Sequence, residues 1–147
     1  MIPTEADVGA FLHNGCALRS EFRWKKTGRT NWKAEAWLED TYEGARVKLV
    51  GSYNSRTKNL SYTLVWANCR VRSLDVGGPA HTNPDGESIA TPHKHRWTNT
   101  DRDQWVYTPT DITSTTLRGI FEEFLAESNI RFEGTFFEPI EQGELPL

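Results

Sequence analysis

The chain has 147 residues, about one domain's worth, of which 37% are hydrophobic, 12% aromatic and 25% charged, with a formal net charge of -3. Six Trp, seven Phe and four Tyr exclude a disordered chain, because solvating sequences carry few aromatics. No apolar run approaches the ~20 residues of a membrane-crossing helix, Met1-Ile2-Pro3-Thr4-Glu5 lacks the character of an export signal, and Cys16 and Cys69 are too few for a disulfide framework, so a cytoplasmic protein with no membrane partner is expected.

Thr4-Glu5-Ala6-Asp7 has the form of a capping box, Val8, Phe11 and Leu12 follow at helical spacing, and Asn14-Gly15 is a stop signal, which predicts a helix over about 4–14. The period then changes to two. Strands are expected at Leu18 to Lys26, Trp32 to Leu38, around Val47-Leu49-Gly51, at Leu60 to Trp66 and at Cys69 to Val76. Periodicity is lost from Gly77 to Pro92, where Asn83-Pro84-Asp85-Gly86 has Pro and Gly in the positions a tight turn needs. His93 to Thr98 and Gln104 to Thr108 read as a strand pair. Asp111 or Ser114 is placed to cap a last helix whose apolar face is Leu117, Ile120, Phe121, Phe124 and Leu125. Ile130 to Phe137 adds one more strand. These elements predict one α+β domain over residues 1–137, followed by an acidic, loosely ordered tail over 138–147. Its architecture is a curved antiparallel β-meander or partly open barrel, with an N-terminal helix and a C-terminal amphipathic helix.

Charge is uneven along this frame. Residues 19–33 carry +5 and residues 44–100 another +5, whereas residues 34–43 carry -4 and residues 119–147 carry -6. Aromatics interleave with cations at Phe22-Arg23-Trp24-Lys25-Lys26 and at Lys94-His95-Arg96-Trp97. Solvated strand edges are the first account of such charge; the sharper alternative is a groove for a polyanion, since phosphates are held by Arg, Lys and backbone amides.

Three of the four histidines, His81, His93 and His95, fall within fifteen residues, whereas His13 closes the first helix. His93 and His95, two apart on a strand, share a face, and His81 reaches them from the aperiodic segment. One reading is acid–base catalysis of RNA cleavage. Imidazole serves as acid or base at neutral pH, while Arg72, Lys94, Arg96 and Trp97 supply charge and stacking for the substrate. Strand alternation sets a condition on that reading, because Lys94 and Arg96 belong on the face opposite the histidine pair. A second reading makes His81, His93 and His95 ligands of a divalent metal (zinc, iron or manganese), with Asp75, Asp85, Glu87 or Asp101 completing or orienting the site. A third makes the histidines simple pins of the loop, in a non-catalytic binding protein whose segment 77–92 grips a protein or nucleotide. The chain has no phosphate-binding Gly-rich loop, no dinucleotide fingerprint and no C-x-x-C. No histidine is followed by x-Thr or x-Ser as a two-histidine phosphodiesterase requires. The sequon at Asn59-Leu60-Ser61 lacks an export signal to accompany it.

The stretch Gly78-Pro79-Ala80-His81-Thr82-Asn83-Pro84-Asp85-Gly86, followed by Pro92-His93-Lys94-His95 and Trp105-Val106-Tyr107, resembles an uncharacterised family of small bacterial and phage proteins. Its members share a GP-x-H-x-NPDG and a PH-x-H motif. The resemblance implies a shared site and a prokaryotic or phage setting, in which small RNA-cleaving toxins and counter-defence proteins occur; by that analogy RNA or a protein is the expected partner.

Overall fold

The computed structural model describes residues 1–140, so residues 141–147, most of the acidic tail, lie outside the described residues. The first helix, α1 (Glu5–Asn14), is capped as its sequence predicts: the Thr4 side chain accepts from the Asp7 amide, Asp7 accepts from the Thr4 amide, and Gly15 closes the end. The segment expected as one strand, Leu18 to Lys26, is divided into β2 (Glu21–Arg23) and β3 (Lys25–Lys26), and its first residue ends an earlier strand, β1 (Cys16–Leu18). The break has a tertiary cause. The pieces β1 and β2 pair in parallel with β12 (Ile130–Phe132) and β13 (Thr135–Phe137), while β3 joins the main sheet. The single strand expected at 130–137 divides at Glu133-Gly134 for the same reason.

The main sheet is an open antiparallel array. It is built from β4 (Asn31–Trp37), β5 (Val47–Asn54), β6 (Leu60–Trp66), β7 (Cys69–Val76), β10 (His93–Thr98) and β11 (Arg102–Tyr107), with β3 at one edge, in the order β11-β10-β7-β6-β5-β4-β3. It does not close into a barrel: β3 and β11 remain its two edges. Between β7 and β10 the chain leaves the sheet and forms a small hairpin of β8 (His81–Thr82) and β9 (Ser88–Ile89).

Alternation divides the sheet into two chemically distinct faces. Trp32, Ala34, Leu49, Tyr62, Leu64 and Leu74 are buried on one face under α1 and α2 (Leu117–Glu127). There α2 contributes Ile120, Phe121, Phe124 and Leu125 as its sequence predicts, and Phe121 packs 4.9 Å from Phe22 and 5.7 Å from Tyr62 between ring centres. Gly51 lets this layer close: a Cβ there would stand 2.6 Å from the Trp24 indole. The cap of α2 is Thr116, which accepts from the Gly119 amide, rather than Asp111 or Ser114. Asp111 instead binds Lys94, and the Ser114 amide donates to Glu123.

The other face is polar. Reading across the strands, Lys33, Ser52, Ser61, Asp75 and His93 form one cross-strand row. No helix of the described residues is long and apolar enough to cross a membrane.

Candidate active site

The histidine corner lies on the polar face, where β7 and β10 run side by side and the hairpin β8–β9 folds over them. Register places His93 opposite Asp75 and His95 opposite Ser73. The three imidazoles expected to converge do so, with ring centres 5.1 Å apart for His93 and His95, 5.2 Å for His81 and His95, and 6.0 Å for His81 and His93.

Asp75 is the hub. Its Oδ2 accepts from His95 Nε2 at 2.9 Å and from His93 Nε2 at 3.1 Å, and its Oδ1 accepts from the Ser61 hydroxyl at 2.7 Å. Burial by itself would raise the Asp75 carboxyl; the hydrogen bonds from His95, Ser61 and His93 and the charge of His95 overcome it and hold the group well below the usual carboxylate range. The second nitrogen of His95, Nδ1, donates to the Asp103 carbonyl at 2.8 Å. Both partners of this ring are acceptors, an arrangement that favours the doubly protonated ring. Burial opposes that charge, but the Asp75 and Asp103 bonds prevail and the His95 pKa is raised, against a smaller opposing effect of Arg70. The Nδ1 of His93 is buried with no partner.

His81 has a different duty. Its Nε2 donates to the Gln104 carbonyl at 2.7 Å, which leaves Nδ1 as the lone-pair nitrogen. Asn83 stands beside it on the same edge, where its side chain accepts from the Val106 amide at 2.8 Å and donates to the Val106 carbonyl at 3.0 Å. These bonds fasten the hairpin to β11 and occupy the outward-facing groups of that edge strand. The Asn83-Pro84-Asp85-Gly86 segment is the tight turn its sequence predicts, closed by a 2.8 Å bond from the Gly86 amide to the Asn83 carbonyl.

A cavity of about 420 Å³ opens at this corner. Its walls include the three histidines, Asp75, Arg70, Gly77 and Gly78, and a neutral polar group of Asn31, Asn54, Asn59, Ser52 and Ser61. Arg70 reaches it because the β6–β7 register slips: Leu64 pairs with Arg72 and Val65 with Arg70, so Val71 is the extra residue of a bulge. A bulge lets Arg70 share the face of Ser73 and Asp75 despite its even number.

None of the expected substrate-binding residues lies on this cavity. Lys94 faces the helix side, 1% exposed, with Nζ 2.9 Å from Asp111 and 3.0 Å from Glu127. Arg72 pairs with Glu127 on that same side and lies 3.3 Å from the Ser128 hydroxyl. Arg96 is opposite Arg72 in the register and exposed near α1. Trp97 is buried beneath the N-terminus, its indole N–H donating to the Pro3 carbonyl at 2.9 Å. Strand alternation moves the even-numbered residues to the far face. For Trp97, the irregularity after Arg96 turns the side chain under residue 3.

The expected metal set is likewise altered. The donor atoms that lie together, all within 4.8 Å of one another, belong to Asp75, His93 and His95, and His81 is outside that group. Of the other acids, Asp101 accepts from the Trp105 indole and Asp85 from the Glu87 amide, so neither completes the set. Two of the three donor separations, those from Asp75, have the spacing of ligands on a first-row ion. Ligand atoms bonded at ~2.0–2.2 Å stand about 2.9–3.5 Å apart, and the Asp75–histidine separations are 2.9 and 3.1 Å. A histidine ligand normally donates its other nitrogen to a carbonyl or carboxylate, as His95 does to Asp103.

A family of unknown function, DUF6978, matches residues 21–130, and the chain belongs to it. The matched region contains every residue of the site, whereas α1, β1 and β13 fall outside it. No curated protein and no solved structure matches the chain significantly.

Proposed function

We propose that this protein is a small metal-dependent hydrolase of phosphodiester bonds in RNA, with Asp75, His93 and His95 holding one divalent ion. The observation that carries this reading is the convergence of three donor atoms on one point beside a polar cavity, with the outer nitrogen of His95 fixed by a backbone carbonyl. A divalent ion and the Nε2 proton of His95 are alternatives for that point, since each brings positive charge against Asp75. An ion there would activate a water and polarise a phosphoryl oxygen. The lone pair of His81 Nδ1 serves as proton acceptor, and Arg70 balances charge developing on the phosphate. The neutral amides and hydroxyls of Asn31, Asn54, Asn59, Ser52 and Ser61 suit a ribonucleotide's sugar and base, which exchange hydrogen bonds without charge. The motif resemblance of the 78–95 segment to bacterial and phage proteins makes a toxin-like or defence-related role in a prokaryotic cytoplasm the setting for this activity.

The test is elemental analysis of purified protein together with RNA degradation after EDTA treatment and re-addition of zinc, iron or manganese. The expected result is one ion per chain, activity restored by metal, and loss of both in Asp75→Asn and His93→Ala. RNA degradation that persists undiminished in EDTA would replace the metal with direct acid–base catalysis by His81, His93 and His95. Absence of degradation under every metal condition would refute the hydrolase.

A further inference from the structure

Outside the cavity, the polar face carries one feature that the chemistry above does not use. Of the six tryptophans only Trp37 is exposed, at 50%, and it stands on the same face as the histidines. The Arg46 guanidinium lies 4.7 Å and the Lys48 ammonium 5.7 Å from its ring centre. Trp37 pairs with Lys48, Lys48 with Val65, and Val65 with Arg70. A single cross-strand row therefore runs from an exposed indole, past a lysine, to the arginine on the cavity wall. Three strand spacings of ~4.8 Å make its length about 14 Å.

Within the row the charged residues are Lys48 and Arg70, and around it both signs occur, with Glu39 and Asp40 lining the surface beside Trp37 and Arg46. Glu35 shares its carboxylate between Lys48 at 3.5 Å and Lys33 at 3.9 Å. Burial does not explain an indole on this face, because the apolar layer lies on the other side of the sheet. An exposed indole with cations over its ring on an open sheet suits unpaired bases and their phosphates: a base takes the ring face as a cation moves off it to the phosphate. Duplex RNA offers no free base faces to such a surface.

We infer that the row Trp37–Lys48–Val65–Arg70 is the track along which single-stranded RNA crosses the sheet into the histidine cavity, with a base stacked on Trp37. This inference rests on the RNA-hydrolase reading of the site, and binding without turnover separates the two. Fluorescence anisotropy of a labelled oligouridylate of about 12 nucleotides, titrated with the full chain in EDTA, reads the track alone. The wild type is expected to bind with a marked salt dependence. Trp37→Ala is expected to weaken binding about 5-fold or more, Trp37→Phe to retain most of it, and Lys48→Gln to reduce the salt slope by about 1. Circular dichroism establishes that each variant is folded. No binding by the wild type, equal affinity for duplex RNA, or unchanged binding by both folded Trp37→Ala and Lys48→Gln overturns the track. Binding that follows the expected pattern, alongside no cleavage with any metal, overturns the hydrolase and leaves this surface as an RNA-binding one.

Discussion

Strand β10 carries Lys94 between its two site histidines, and the role of that lysine can be worked out from its surroundings. Its Nζ touches Asp111 at 2.9 and 3.0 Å and Glu127 at 3.0 Å, on a side chain 1% exposed. Removing the charge while keeping the stem (Lys94→Met) leaves Glu127 with Arg72 and returns Asp111, whose side chain is 41% exposed, to water. Breaking a buried ion pair is costly when it leaves an uncompensated buried charge; here Glu127 keeps Arg72 and the half-exposed Asp111 regains water, which is the situation of a surface pair worth about 0–1 kcal/mol. Lys94→Met is therefore expected to change the unfolding free energy by no more than about 1 kcal/mol. Lys94→Ala also removes the buried stem, which costs about 2–4 kcal/mol by comparison with other large-to-alanine changes. At roughly 2–4 °C per kcal/mol for a chain near this size, the melting temperature of the alanine variant falls by about 4–16 °C. Urea unfolding of the two variants and the wild type checks this, with metal content measured on the same preparations. A loss of 3 kcal/mol or more in Lys94→Met would refute the reasoning and make the ionic contacts, rather than stem packing, what holds α2 to β10. Loss of metal from folded Lys94→Met would return the lysine to the site.

Asn83→Ala strands the Val106 amide and carbonyl on the edge of the sheet; it is expected to cost about 1–3 kcal/mol and to promote concentration-dependent association through β11, readable by light scattering after gel filtration. Burial pushes the Cys16 thiol up to about 11. A thiol reagent at pH 8 should thus label Cys69 alone in the folded chain and both cysteines in urea, since native Cys16 is both protonated and fully buried. Gly51→Ala is expected to destabilise by about 1–3 kcal/mol, because its Cβ meets the Trp24 ring at 2.6 Å; an unchanged urea midpoint would show that the ring moves aside freely.

Local rules in the sequence determined a good part of this protein. The Thr4–Asp7 box set the start of α1, the 3.6-residue period of Leu117 to Leu125 set the buried stripe of α2, and alternation at Trp32, Ala34 and Ala36 set the inward face of β4. Alternation also brought His93 and His95 to one face and sent Lys94 to the other, since a strand has a side-chain period of two wherever it lies. What only the tertiary structure decided involves partners distant in the chain. The pairing of β1 and β2 with β12 and β13 cut one expected strand into pieces. Antiparallel register, a relation between two strands, chose Asp75 from four candidate acids as the hub opposite His93. A bulge, which exists only relative to the neighbouring strand, carried Arg70 to the cavity without any sequence signal to announce it. Burial depends on which layer covers a face: Trp24 and Trp97 disappeared beneath the fold, while Trp37, in an ordinary alternating strand, was left in water.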